Sequence, residues 1–314
     1  MLPYIFFVAG MALLMVAGEI LVKGSVGLAT RLGISPLVIG LTIVAFGTSA
    51  PELVISLDAA YSGSGGIAIG NVVGSNIANV LLVLGAPALI ASFSSAETGI
   101  KRTLTFLIVV TAAFMFMLWR GTIGHLEAWI LIACLVVFLV QQFLSSRGAE
   151  NGYAEELEDE VGAVPSDSLK IAGYILVGIV MLPLAAHLAV TAAINIATQW
   201  NISDAVIGVT IVALGTSLPE LATTISAARN GSMSLGIGNV IGSNFFNIAA
   251  IIGITGAIWP IPVDPHIVQF DMWVMAATTI MLLALPLLKL EIGKKAGTLM
   301  LSLYAAFIVT TFAV

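Results

Sequence analysis

Charge is what this sequence has least of. Only 9% of its 314 residues are Asp, Glu, Lys or Arg, against 59% apolar, and the mean hydropathy is +1.11. Soluble domains carry about a quarter charged residues, and no soluble core of this length hides so large an apolar share. The Lys and Arg residues stand singly or in pairs between apolar stretches, so the sequence offers no basic face for nucleic acid. Cysteine is nearly absent. Cys134 alone excludes a disulfide framework, and within AWILIACLVVFLV it reads as a small buried hydrophobe. A formal charge of −6 would suggest a basic partner, but six acids fall between Glu150 and Glu160, so the figure describes one segment. The first apolar stretch, from Leu2, lacks a basic n-region and is followed by Lys23, which speaks for a membrane helix and against a cleaved signal peptide.

What is there is a series of apolar runs. A span needs about 20 such residues, and runs of that kind lie near 2–24, 35–60, 67–92, 103–119 and 125–145, then near 170–198, 204–228, 235–260, 267–288 and 296–313. The sequence thus predicts an all-α integral membrane protein with ten transmembrane helices. The two sets, 1–145 and 170–314, are joined by a polar acidic linker over 146–169. With the amino terminus outside, Lys23, Arg31, Lys101, Arg102, Arg147, Lys170, Arg229, Lys289, Lys294 and Lys295 all fall on the cytoplasmic side and only Arg120 faces out. That bias places both termini outside and the linker in the cytoplasm.

The two sets repeat one another. Leu37 to Gly85 aligns without a gap on Ala205 to Gly253, at a constant offset of 168, with about half the positions identical. One copy reads GTSAPE (Gly47 to Glu52) and GNVVGSNIAN (Gly70 to Asn79); the other reads GTSLPE (Gly215 to Glu220) and GNVIGSNFFN (Gly238 to Asn247). Five spans separate the copies, and an odd number sends them into the membrane from opposite sides, as in inverted-repeat secondary transporters.

Glu52 and Glu220 fall mid-span, where an ionised carboxylate costs roughly 2.5–3.5 kcal/mol. No Lys or Arg lies at comparable depth, so a bound cation is the economical counter-charge. Pro51 and Pro219 lack an amide hydrogen and clash with the carbonyls of Gly47 and Gly215, which predicts breaks in spans two and seven just before the glutamates. Carbonyls freed at such a break suit a cation. Thr48 and Thr216 precede their glutamates by four residues and Ser49 and Ser217 by three, so hydroxyls and carboxylate can share a face. Ser75 and Asn79, and likewise Ser243 and Asn247, are spaced i, i+4 on spans three and eight, where Gly70, Gly74, Gly238 and Gly242 permit close approach. Carboxylate, hydroxyl, amide and carbonyl oxygens without soft ligands suit Ca²⁺, Na⁺ or Mg²⁺ rather than Zn²⁺ or Cu⁺.

Two uncompensated carboxylates are costly to carry across empty, so a site open alternately to each side would turn over only when loaded, which implies exchange. An intramembrane protease would use an aspartate pair, and a passive channel would lack dependence on the ion at the opposite face.

The motifs resemble the α-repeats of the sodium/calcium exchanger superfamily, in its short bacterial and archaeal form, and the likeness covers nearly the whole chain. It implies an antiporter rather than an enzyme, with no cofactor. The transported ions would be Ca²⁺ and Na⁺, or Ca²⁺ and H⁺, and the surroundings a lipid bilayer, expected to be a plasma (inner) membrane. It implies ligands at Ala45 and Ala213 through their carbonyls, at Thr48, Ser49, Glu52, Ser75 and Asn79, and at Thr216, Ser217, Glu220, Ser243 and Asn247. It also implies that helices one and six slide against a fixed core. Several exchangers have an aspartate where this chain has Asn247, so this site keeps two carboxylates rather than three, which leaves the coupling ion open.

Other polar residues have plainer readings. Glu19 and Lys23 form an i, i+4 pair, and Asp58 is a solvated residue near the outer end of span two. His187, beside Pro183, is a hydrogen-bonded structural histidine. The run EELEDE lacks the spacing of a calcium loop. Trp119, Trp129, Trp200 and Trp273 near span ends read as interfacial anchors.

Overall fold

The computed structural model describes residues 2–94, 100–146, 165–199 and 213–313. Trp200, the run EELEDE and residues 205–212 of the second repeat copy lie outside them.

Twelve helices are described: α1 Leu2–Leu32, α2 Pro36–Thr48, α3 Ala50–Tyr61, α4 Gly65–Ala88, α5 Ile100–Trp119, α6 His125–Ser146, α7 Ser168–Gln199, α8 Ala213–Thr216, α9 Leu218–Arg229, α10 Met233–Ile258, α11 Ile267–Leu287 and α12 Lys294–Ala313. Seven of them (α1, α4, α5, α6, α7, α10 and α11) contain stretches long and apolar enough to cross a membrane, and α2 with α3, bent by 44°, makes an eighth. The chain is therefore a helical membrane protein. The seventh expected span begins outside the described residues; α8 and α9 are its described part. The 20-residue α12 lies where the tenth is expected.

The first helix runs to Leu32 rather than ending near residue 24. Lys23 sits inside it, neutralised by Glu19 at 2.7 Å, and the helix stops only at Gly33, whose φ of +63° is a left-handed cap. Four two-residue strands relieve the otherwise all-α pattern: β1 Phe93–Ser94, β2 Thr122–Ile123, β3 Ile261–Pro262 and β4 Glu291–Ile292. β1 pairs antiparallel with β4, and β2 with β3. Phe93 and Ser94 lie 168 residues before Ile261 and Pro262, so each pair joins one repeat to the other in an equivalent way.

The 168-residue offset recurs in the packing. A Cβ on Gly10 would stand 2.7 Å from the backbone of Ala189, and one on Gly178 would stand 2.6 Å from Leu21, contacts that exchange under the offset. α1 and α7 therefore touch at glycine in two equivalent places. They share an apolar cluster that includes Leu14, Leu21, Val22, Ile175 and Leu182 and extends to Val44 on α2, Ala222 on α9 and Leu235 on α10. The larger cluster joins α4, α5, α6, α10, α11 and α12, with Phe138 stacked on Phe245 at 4.0 Å between ring centres. Within α4 and α10 the backbone widens to i→i+5 turns over Asn79–Val83 and Asn247–Ile252, again 168 residues apart. Such turns are rare and gather at functional sites. Both open on an asparagine of the repeated motif.

The tightest backbone approach lies between α2 and α10, where a Cβ on Gly238 would meet the carbonyl oxygen of Leu37 at 2.4 Å. Gly238→Val should lower stability by about 1–3 kcal/mol. Gly66→Ala meets only Asp264 Cβ, at 3.8 Å, and should leave it within about 0.5 kcal/mol of the parent or raise it, because Ala favours helix. Thermal unfolding of both variants in one detergent checks the pair.

Candidate cation site

Each repeat interrupts its helix for a single residue. Ser49 (φ −84°, ψ 6°) separates α2 from α3, and Ser217 (φ −84°, ψ 1°) separates α8 from α9. Pro51 and Pro219 occupy the second helical positions after the interruption, within the first turn whose amides have no intrahelical partner, so a missing amide hydrogen costs nothing there. Glu52 and Glu220 follow in the first turns of α3 and α9 and are only 1% exposed. Their helix N-termini favour negative charge there.

The break does more than free carbonyls: it turns the hydroxyls across the repeats. Ser49 Oγ donates to Glu220 Oε1 at 3.0 Å rather than to Glu52, and Ser243 Oγ donates to the same oxygen at 3.4 Å. Thr216 stands beside Glu52. Thr48 Oγ1 lies near Glu220 and donates to Asn239 Oδ1 at 3.1 Å. Ser49, Thr48 and Thr216, expected to serve the glutamate of their own repeat, thus stand by the other one, because the one-residue interruption removes the straight i, i+3 and i, i+4 register. The carbonyl of Ala45 accepts the Ser49 amide at 3.0 Å and the Thr48 hydroxyl at 3.3 Å. Ala213 opens α8 at the equivalent place. Ser75 is buried one turn before Asn79.

Several buried atoms here find no hydrogen-bond partner among the described residues: Glu52 Oε2, Glu220 Oε2, Asn79 Oδ1, Asn247 Oδ1 and Ser217 Oγ. Four are pure acceptors. An orphaned buried acceptor costs about 1–3 kcal/mol, more when charged. Neither glutamate joins an ion pair among the described residues. Unpartnered acceptors beside two carboxylates fit a hard cation, which supplies positive charge and takes oxygen ligands. The described residues contain no group of three or more His, Cys, Asp or Glu side chains placed to hold a metal ion.

Four asparagines escaped the sequence reading. Asn71 Nδ2 donates to the Glu52 carbonyl at 3.2 Å and to Ser56 Oγ at 3.1 Å, pinning α3 to α4. Asn239 Nδ2 donates to Thr224 Oγ1 at 3.4 Å, the equivalent link between α9 and α10. Asn76 and Asn244 contact the predicted pair Asn247 and Asn79. The signal was present, since all four recur in both copies of GNxxGSNxxN. Of the residues given plainer readings, Glu19 and Lys23 do pair, Asp58 is exposed, and His187 is exposed on α7 rather than buried. Cys134 is half-buried at the core's edge. Trp119, Trp129 and Trp273 are exposed.

Helices interrupted at the equivalent Ser49 and Ser217, with a buried oxygen cluster beside them, fit a membrane secondary transporter. Comparison with known proteins narrows the class. The sodium/calcium exchanger protein family model matches residues 2–144 and 170–313. The sodium/calcium exchanger MaX1 of Methanosarcina acetivorans is 31% identical, over 98% of both chains. The inner membrane protein YrbG of Escherichia coli is 33% identical, over 87% of this chain and 85% of its own. A solved structure of the sodium-calcium exchanger NCX_Mj, soaked with Na⁺ and Ca²⁺, superposes with a TM-score of 0.84 at 28% identity, over 98% of both chains. This chain belongs to the sodium/calcium exchanger family.

Removing one of two repelling buried carboxylates relieves a cost, so in chelator-treated detergent Glu52→Gln should melt above the parent. Saturating Ca²⁺ should stabilise the parent by about 2.7 kcal/mol at 100-fold excess over Kd and the variant far less. Melting curves with and without Ca²⁺ read both effects.

Proposed function

We propose that this protein is an antiporter that exchanges Ca²⁺ for Na⁺ by alternating access to one midplane site built on Glu52 and Glu220. The observation that carries the reading is the set of buried oxygens on Glu52, Glu220, Asn79 and Asn247 without a partner among the described residues, which a bound cation would satisfy. Ser49, Thr48, Ser243, Thr216, Ser217, Ser75 and the carbonyls of Ala45 and Ala213 complete the ligand set.

The chemistry follows from charge. One divalent ion, or two monovalent ions, neutralises the two carboxylates and permits the site to close. With neither bound, the closed state buries two repelling charges, and the empty return is suppressed. Ca²⁺ therefore leaves only when monovalent ions replace it, which makes the movement an exchange. In this reading ten spans form two inverted five-helix repeats over 1–145 and 170–314, with both termini outside and the acidic linker cytoplasmic. The equivalent strand pairs and the exchanged glycine contacts support that plan. The two equivalent glycine contacts between α1 and α7 support their movement together.

One observation favours protons as the alternative coupling ion. Asn247 brings no third carboxylate and commits its Nδ2 to Asn76 Oδ1 at 3.1 Å, so two protons on two glutamates balance one Ca²⁺ as completely as two Na⁺ do. Uptake of ⁴⁵Ca²⁺ into proteoliposomes under an outward Na⁺ gradient, an outward H⁺ gradient or neither decides between them. Na⁺ coupling predicts uptake that follows the Na⁺ gradient and falls at least ~100-fold in Glu52→Gln or Glu220→Gln. Dependence on the H⁺ gradient alone transfers the protein to the proton-coupled reading. Uptake that needs neither gradient and survives both substitutions overturns exchange.

A further inference from the structure

Between α4 and α10 lies a chain of four buried amides, none more than 1% exposed: Asn76, Asn79, Asn244 and Asn247. Its order is decided by one group that can only accept. The main-chain carbonyl of Asn76 takes a hydrogen bond from Asn244 Nδ2 at 3.4 Å, so Asn244 must turn its Oδ1 the other way. That oxygen accepts from Asn79 Nδ2 at 3.0 Å. Asn79 has then spent its nitrogen on Asn244, and its Oδ1 is left buried without a partner among the described residues. On the other side, Asn76 Nδ2 points at the Met275 thioether at 3.8 Å, and its Oδ1 accepts from Asn247 Nδ2 at 3.1 Å. The Asn247 Oδ1 is left over in the same way. The wide turn that opens at Asn79 packs against α9, which bears Glu220, and the one that opens at Asn247 packs against α3, which bears Glu52.

We propose that Asn76 and Asn244 are positioning residues that lock the amides of Asn79 and Asn247 with their oxygens, not their NH₂ groups, presented to the transported cation. The proposal rests on the midplane cation site described above. An amide is nearly symmetric in shape, and its two ends differ only in what they bond. Without Asn244, Asn79 is free to rotate and present a donor to a cation, which repels it. The relay thus selects ligand polarity at two positions where sequence alone gives an amide of undetermined orientation. Asn76 serves both sides, through its side chain to Asn247 and its main chain to Asn244.

The test measures Ca²⁺ saturation of exchange in proteoliposomes for Asn244→Ala, Asn79→Ala and the double variant. Asn244→Leu, which keeps asparagine's branched outline without its polar atoms, joins the set in case the smaller side chain leaves a cavity that unfolds the protein. A residue that acts by orienting a ligand removes ground-state binding, so KM for Ca²⁺ should rise about 10-fold with the maximal rate within about 2-fold. The two single effects should not add: in the Asn79→Ala background, loss of Asn244 should change KM by less than about 2-fold. A merely structural role lowers the maximal rate or the yield of folded protein and adds to the Asn79 effect. Additivity, or an unchanged KM in either Asn244 variant, overturns the proposal. Saturation of the parent protein is read in the same vesicles and reports separately on the underlying site; its absence overturns both.

Discussion

Glu52 and Glu220 are both buried, and no protein cation among the described residues pairs with either. Most of the surrounding architecture is arranged to make that pair tolerable. The single-residue interruptions at Ser49 and Ser217 place each carboxylate in a first helical turn, where backbone dipoles offset part of its charge. Hydroxyls from the opposite repeat approach each one. Asn71 fixes the Glu52 carbonyl to the neighbouring helix. What remains unanswered is left for an ion to supply, and a membrane interior makes that remainder large because no solvent screens it.

The same balance explains why packing around the site is so close. Gly238 against Leu37 and Gly40 against Leu235 bring α2 and α10 nearly into backbone contact, so the ligand oxygens sit on segments that cannot drift apart. α1 and α7 meet each other at Gly10 and Gly178 and also pack on the rest of the bundle, Gly18 against the Ala222 carbonyl and Gly47 against Ile179.

Much of this was legible in the residues. A GTSxPE and a GNxxGSNxxN motif in two copies at one offset locate the helix breaks, both glutamates and the amide pair, since each feature depends on local chemistry: a proline lacking its amide, a glycine admitting a neighbour, a carboxylate too costly to bury alone. The link of Ser49 to Glu220 rather than to Glu52 was not legible, because it depends on how the two repeats interlock, and spacing within one repeat is silent on that. The asparagines Asn71, Asn76, Asn239 and Asn244 stood in the same motifs but faced neighbours on other helices, and a reading of i, i+4 faces passes over them. The extension of the first helix to Leu32 was hidden by Lys23, which looks like a span end until Glu19 is seen to neutralise it.

Where the cation sits tests the account most directly. Crystals soaked in Sr²⁺, or another divalent ion with a strong anomalous signal, should show one principal anomalous peak between the carboxylates of Glu52 and Glu220, within ligand distance of the Asn79 and Asn247 oxygens. A peak at the linker or the outer loops with none between the two glutamates would contradict it, because the buried oxygens would then have to be satisfied by something other than the transported ion.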